Sequence, residues 1–292
     1  MSTSSFAIHL LNAISFAMLL FLISVGLNLI FGVLGVINFA HGALYMVGAY
    51  TAFQVAGAWD VPFGVALVVA PLAVAVIGTV IEALFLRRIY VRDVAVQLLM
   101  TFAFMLILDD VVRLIWGSGI KVTPRPELLS GVVSIFGREY PIYGLFIIVL
   151  GPLVAAALWY FIEKTSFGQR VRAASTDRQM ASALGVNVPM LFSGVFALGS
   201  LLAGLGGTLA APLRSATPSM GENIIILTFI VVVVGGLGSF PGALTGALML
   251  GLLNEFVPLW IPRSEMAVAY ALMAIVLLIR PRGLFPSPAL TA

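Results

Sequence analysis

Residues able to do covalent chemistry are scarce in these 292 residues and nowhere gathered. There are no cysteines, which removes thiolate nucleophiles, thiolate metal sites and disulfides. The two histidines, His9 and His41, are not at metal-ligand spacing, and no HExxH run accompanies them. A GxSxG nucleophile elbow is missing. So is the Gly-Lys-Ser/Thr end of a phosphate-binding loop, because the two lysines, Lys121 and Lys164, follow Ile120 and Glu163. With no nucleophile–base pair in view, an intramembrane hydrolase is disfavoured. No catalytic residue, metal ligand or cofactor is expected on this chain. What it does offer is polar side chains set singly into apolar sequence. Such groups are costly in lipid and turn toward a cavity or a partner helix.

Asn28, Asn38 and His41 surround a glycine-rich interruption, with Tyr45 one helical turn past His41. They either line a solute pathway or satisfy backbone freed at Gly32 and Gly35. A second interruption resembles the first: Phe31–Leu44 (FGVLGVINFAHGAL) and Val234–Leu244 (VGGLGSFPGAL) share Leu-Gly, a phenylalanine and Gly-Ala-Leu. Paired glycine-interrupted segments point to a transport pathway, although chance similarity between glycine-rich turns is the competing account. The expected substrate pathway is therefore Asn28, Asn38, His41, Gly42, Tyr45, Gly235, Gly238 and Phe240. Other polar residues sit toward segment ends. Glu82 precedes Arg87 and Arg88 as an interfacial ion pair, and Asp109 and Asp110 lie within helical reach of Arg113. Asn254 and Glu255 fall late in their segment, open to local pairing or to a gate. No carboxylate is clearly at mid-span, which argues against ion coupling and for an outside energy source.

The elements that must carry these residues follow from composition. The chain is 61% hydrophobic and 9% charged, with a mean hydropathy of +1.14, against roughly 25% charged residues in soluble domains. It reads as all-α, a polytopic membrane protein of about 8–9 transmembrane or re-entrant helical segments in one domain over 1–292. The formal charge of +3 is too small and scattered for nucleic-acid binding. The N-terminus lacks the positive region of a cleavable signal and reads as a retained first span. With about 20 residues needed to cross, segments fall near 8–31, 36–57, 62–86, 94–116, 141–162, 190–212, 222–238, 241–260 and 265–280. Those at 36–57 and 222–238 are either crossings or broken elements. The first residues lie outside if all nine cross, and inside if the second only dips.

Segment 190–212 carries two small-residue stripes, Gly199-Ala203-Gly207 and Ser200-Gly204-Thr208, and Gly242 and Gly246 repeat the device. These allow close helix approach. The stretch 117–140 reads as an ordered loop on the outer face, with a small hairpin around Val132–Phe136.

One polar island interrupts the apolar sequence, Glu163–Pro189 (EKTSFGQRVRAASTDRQMASALGVNVP). Ser166 with Gln169 and Thr176 with Gln179 have capping-box spacing. Phe167, Val171 and Ala174 share one helical face; Met180, Ala183 and Leu184 share another, and Gly185 supplies a stop. With the island cytoplasmic, nine of the fifteen basic residues fall inside, a modest positive-inside bias. Two short amphipathic helices outside the bilayer either rest on anionic headgroups or dock a partner.

The motifs then resemble a known family. Gly26–Tyr50 (GLNLIFGVLGVINFAHGALYMVGAY), the island, Gly235–Ala247 (GGLGSFPGALTGA) and Arg280–Phe285 (RPRGLF) are similar, in order, to the permease subunits of branched-chain amino acid ABC importers, the shorter of the two permease types. The resemblance implies a bacterial inner-membrane permease. It also implies a second related permease subunit, two cytoplasmic ATPase subunits holding ATP and magnesium, and a periplasmic substrate-binding protein. The loop at 163–189 becomes the coupling element and 117–140 a periplasmic loop. The family's coupling pattern, Glu-Ala-Ala, three residues and Gly, maps onto Gln179, Met180, Ala181 and Gly185, so the glutamate and first alanine are replaced. The implied ATPase-coupling residues are Arg172, Asp177, Arg178, Gln179, Met180, Ala181, Leu184 and Gly185. Importers of urea, amides or aromatic acids use similar permeases, and a stand-alone carrier or channel is the remaining transport alternative.

Overall fold

The computed structural model describes residues 2–285. Among them are eleven α-helices and one β-hairpin. Helix α1 (Thr3–Leu34) is the axis of the bundle, and every residue from Ala17 to Asn28 is buried. A helix apolar all round has no solvent or lipid face to keep, so it takes the centre. Around it stand α2 (Ala40–Ala52, continued by a π-helical turn over Phe53–Ala58), α3 (Phe63–Leu84), α4 (Val94–Trp116), α5 (Ile142–Lys164), α8 (Val188–Ala210), α9 (Met220–Gly235), α10 (Phe240–Phe256) and α11 (Glu265–Ile279). The outer helices leave large apolar side chains uncovered, among them Val76 on α3, Leu99 and Leu114 on α4 and Leu153 on α5. Such faces suit lipid, where no water competes for the backbone. Five helices are long and apolar enough to cross a membrane: α1, α3, α5, α8 and the Phe240–Leu259 stretch.

Every one of the nine expected segments is a helix, and successive ones alternate in direction. Antiparallel contacts fix this: Gly26 of α1 meets Gly199 of α8, while Ile23 meets Gly206. Phe21 packs edge-on against Phe240 at the start of α10, and His9 near the start of α1 pairs with Glu255 near the end of α10. The N-terminal end of α1 thus lies opposite the end that carries α6 (Ser166–Thr176) and α7 (Arg178–Ala183). The uncertain segments are the short ones. At a rise of about 1.5 Å per residue, the 16 residues of α9 span about 24 Å, less than a hydrocarbon core of about 30 Å.

Both small-residue stripes of α8 are used. A Cβ at Gly207 would strike the Tyr45 carbonyl of α2, and Gly204 faces Val74 and Pro71 of α3. Ser200 fills the notch left by Gly78 on α3. Gly242 and Gly246 seat α10 against Gly235 and Val231 of α9.

The outer loop contains the expected hairpin, β1 (Val132–Ile135) with β2 (Arg138–Pro141), paired antiparallel with Ile135 opposite Arg138. Its two turn residues, Phe136 (φ 50°) and Gly137 (φ 79°), both have positive φ, the signature of a type I′ turn that matches strand twist. At the start of α9, Ser219 also takes positive φ (67°). Asp109 accepts its N–H at 2.6 Å, and Arg113 donates to its hydroxyl at 2.8 Å and to Asp109 at 2.8 Å. The local Asp109–Arg113 pair therefore also ties α4 to α9.

The island's helix starts are one residue later or earlier than the capping-box spacing suggests. Ser166 is already helical, and the extended Thr165 caps α6 by accepting from the Gly168 N–H at 3.3 Å. Thr176 closes α6 by donating to the Arg172 carbonyl, and Asp177 caps α7 by accepting from Met180 N–H at 2.9 Å. A capping side chain must leave a non-helical backbone, and Thr165 and Asp177 are the residues in that conformation.

Candidate functional site

Two chain breaks lie side by side beneath the centre of the bundle. The first follows α1. Gly35, at φ 72°, ends that helix, its N–H bonding to the Phe31 carbonyl at 2.8 Å. The chain then climbs back in extended form, and α2 starts far from the end of α1. His41 Nε2 lies 2.9 Å from the Ile23 carbonyl. Ile23 precedes Leu34 by eleven residues, so the first turn of α2 lies about 16 Å above the end of α1. Segment 36–57 is thus a broken element, re-entering at mid-depth. Phe39 wedges it between Phe102 of α4 and Phe229 of α9, with ring centroids at 6.2 and 5.1 Å. Thr101 donates to the Ile37 carbonyl at 3.2 Å. Gly42 meets the Gly221 backbone of α9 so closely that a Cβ would enter the Gly221 carbonyl.

The second break, Gly236–Ser239, joins α9 to α10. Asn28 of α1 clamps it, donating to the Ser239 carbonyl at 2.6 Å and accepting from the Gly238 N–H at 2.5 Å. The Gly32 backbone packs on Gly238 at the same level. In the sequence Asn28 belonged with Asn38 and His41; in space it serves the other break. Asn28, Gly238 and Phe240 also line a cleft of about 120 Å³ against α5.

The polar groups of the two breaks differ in what they leave over. Asn28 is fully engaged. Asn38 is completely buried, and neither its amide nitrogen nor its oxygen has a hydrogen-bond partner among the described residues; the same holds for His41 Nδ1. Such groups are rare in a settled interior. Tyr45 packs against Gly206 of α8.

The coupling candidates separate into two sets. Arg178 reaches across to α1, donating to the Leu34 carbonyl at 2.8 Å and to Val33 at 3.4 Å, with its guanidinium 5.0 Å from the Phe192 ring. Arg172 turns back to the end of α5, bonding the Ile162 carbonyl and pairing with Glu163 at 3.3 Å. Asp177 caps, Ala181 is buried, and Gly185 closes α7 at φ 85° with its N–H on the Ser182 carbonyl. Gln179, Met180 and Leu184 remain exposed, Met180 by 58% and Leu184 by 77%. Val171 and Ala174 of α6 are buried, as the pattern of that helix predicts. Met180 and Ala183 of α7, with Leu184 directly after it, instead present an apolar face that no described residue covers.

Beside α7, Glu82 is more than an interfacial ion pair. It is completely buried, accepts from the Tyr90 hydroxyl at 2.9 Å and from Ser193 of α8, and has Arg87 at 3.4 Å. Arg88 takes no part in these contacts. Burial, then the adjoining carboxylate, hold the Tyr90 phenol well above its usual value, so it stays a donor. Ser193 lies 111 residues from Glu82, a pairing only the fold reveals. The His9–Glu255 contact at 2.8 Å was equally hidden, because neither residue has a charged neighbour at helical spacing.

The family described as branched-chain amino acid transport system, permease component, matches residues 9–279. The high-affinity branched-chain amino acid transport system permease protein LivH of Escherichia coli is 28% identical over 295 residues, covering 96% of this chain and 95% of that protein. BraD of Pseudomonas aeruginosa, a permease protein of the same description, is 29% identical over 296 residues, with 96% and 95% covered. A probable branched-chain amino acid transport permease protein, LivH of Methanocaldococcus jannaschii, is 28% identical over 299 residues, with 94% and 90% covered. No solved structure matches the chain. With a broken-helix bundle and a match over nearly its whole length, this chain is a multi-pass membrane protein that belongs to the family of branched-chain amino acid transport permeases.

Proposed function

We propose that this chain is the membrane-spanning permease of an ATP-driven, binding-protein-dependent importer in a bacterial inner membrane, carrying branched-chain amino acids or closely related small polar solutes. The observation that carries this reading is α7: a short helix with an uncovered apolar face, anchored by Arg178 to the last carbonyls of α1, in a chain with no nucleotide-binding motif. Energy must then come from outside, through a face of this kind. A helix-in-groove contact with a cytoplasmic ATPase suits Gln179, Met180 and Leu184, while Asp177, Arg178, Ala181 and Gly185 hold α7 in place and Arg172 ties the preceding α6 to the end of α5. A groove of about 540 Å³ walled by Phe167, Leu184 and Met190 adjoins it. Where the family pattern has glutamate and alanine, Gln179 replaces a charge with a neutral amide and Met180 puts a larger apolar group on the contact face.

On this reading α7 faces the cytoplasm, the hairpin end faces the periplasm, and two ATPases, a second permease and a binding protein complete the assembly. ATP and magnesium belong to the ATPases. The solute pathway runs by the first break, where Asn38 and His41 Nδ1 hold unused hydrogen-bonding capacity that a polar solute can take up. Reconstitution with the partner subunits tests the proposal. ATP-dependent uptake is expected, and Leu184→Glu should leave insertion and thermal stability unchanged while cutting uptake by at least tenfold. Flux through this chain alone without ATP, or full uptake by Leu184→Glu, would sink it.

A further inference from the structure

The end of the bundle opposite α7 holds a cavity of about 210 Å³ that the pathway described above does not use. Four separate stretches converge on it: α1 at Asn12, β2 at Tyr140, the connection after α8 at Arg214, and the end of α10 at Asn254 and Glu255. At about 30 Å³ of liquid volume per water, it has room for about seven, the scale of an amino-acid head group with a short side chain.

Its two charged groups have opposite sign. Glu255 accepts from His9 Nδ1 at 2.8 Å and from Asn12 Nδ2 at 3.2 Å, both on Oε1. Oε2 has no hydrogen-bond partner among the described residues. The guanidinium of Arg214 rests on the Phe16 ring, 4.8 Å from its centroid, and no described carboxylate lies within ion-pair distance. Stacking occupies the face of a guanidinium and leaves its N–H edge to take a carboxylate in bidentate fashion. The buried Tyr140 supplies a further donor, its phenol pushed up to about 12 by burial and so protonated at neutral pH.

We propose that this cavity is an outer receiving site for a zwitterionic α-amino acid. Arg214 takes the carboxylate and Glu255 Oε2 takes the ammonium. The inference rests on the permease reading and names the solute's head group as what entry selects. The same pair of charges occurs in phosphatidylethanolamine, so the test must separate a free solute from a lipid.

The chain has no native cysteine, so Asn254→Cys places a single thiol in the wall of the cavity. In vesicles of phosphatidylglycerol, leucine is expected to slow alkylation of that thiol by a water-soluble maleimide at least threefold. Isocaproate, which lacks the ammonium, and isopentylamine, which lacks the carboxylate, should each slow it by less than half as much. Adding Arg214→Gln or Glu255→Gln should abolish the protection. The analogue series needs neither variant, so it decides the matter even if one fails to fold. No slowing by leucine, equal slowing by both analogues, or slowing by phosphatidylethanolamine with no further effect of leucine overturns the proposal. ATP-driven uptake measured alongside separates the two claims. Uptake without protection removes the receiving site and leaves the importer standing; protection without uptake does the reverse.

Discussion

The two breaks have related sequences and opposite economies of hydrogen bonding. At the second, Asn28 closes both a donor and an acceptor of the freed backbone, at 2.5 and 2.6 Å, and the chain turns within four residues. At the first, the chain runs five residues, returns to mid-depth, and leaves both polar atoms of Asn38 and one of His41 without a partner among the described residues. The second is a joint held shut from α1. The first keeps unused hydrogen-bonding capacity, which the proposed pathway would use. The two glycine-rich breaks therefore differ: one is a corner whose backbone groups are paired, the other keeps polar atoms that no described residue satisfies.

Breaking the backbone approach should do most damage at either site. Gly42→Val drives a side chain into the Gly221 carbonyl, and Gly235→Val does the same to Gly242. Each should cost about 3 kcal/mol, the upper end of the usual range for overpacking, read as loss of monodisperse protein in detergent. Next comes Asn28→Ala, which strands the Gly238 N–H and the Ser239 carbonyl. A loss of about 2 kcal/mol in thermal stability is expected. His41→Ala removes the bridge to the Ile23 carbonyl and should cost about 1 kcal/mol, with uptake falling further than stability accounts for. The smallest stability effect belongs to Asn38→Leu. Removing a buried amide that makes no hydrogen bond is expected to be neutral within about 0.5 kcal/mol or slightly stabilising, while uptake is lost. If Asn38→Leu destabilises as much as Asn28→Ala, the contrast between the breaks disappears.

Much of the fold was legible because the lipid leaves few alternatives. Apolar runs and glycine stripes each have one physical meaning, and the helices fell where length and hydropathy put them; the hairpin was legible, but not its turn, because Phe136 takes positive φ. The polar residues were harder. Asn28 is adjacent in sequence to one break and bonded to the other, and nothing in local spacing can reveal a contact 210 residues away. Glu82 looked paired with Arg87, which it is, but Tyr90 and Ser193 bind it more closely. In the island the helical faces were readable while the caps were not, since several hydroxyls and one carboxylate compete for each helix start. For Arg214 the sequence indicates only a charge outside the island, because its partner ring, Phe16, sits on the first helix.

The half-depth start of α2 also bears on how the chain is made. Its packing surfaces are α3, α4, α8 and α9, with Gly48 against Gly204 and Gly42 against Gly221. Gly204 and Gly221 follow their partners by more than 150 residues, on the order of ten seconds of synthesis at ribosomal speed. Until then a short helix opening on Asn38 and His41 has no finished pocket to enter. The pocket around α2 is therefore completed late in synthesis, when α8 and α9 arrive beside the earlier α3 and α4.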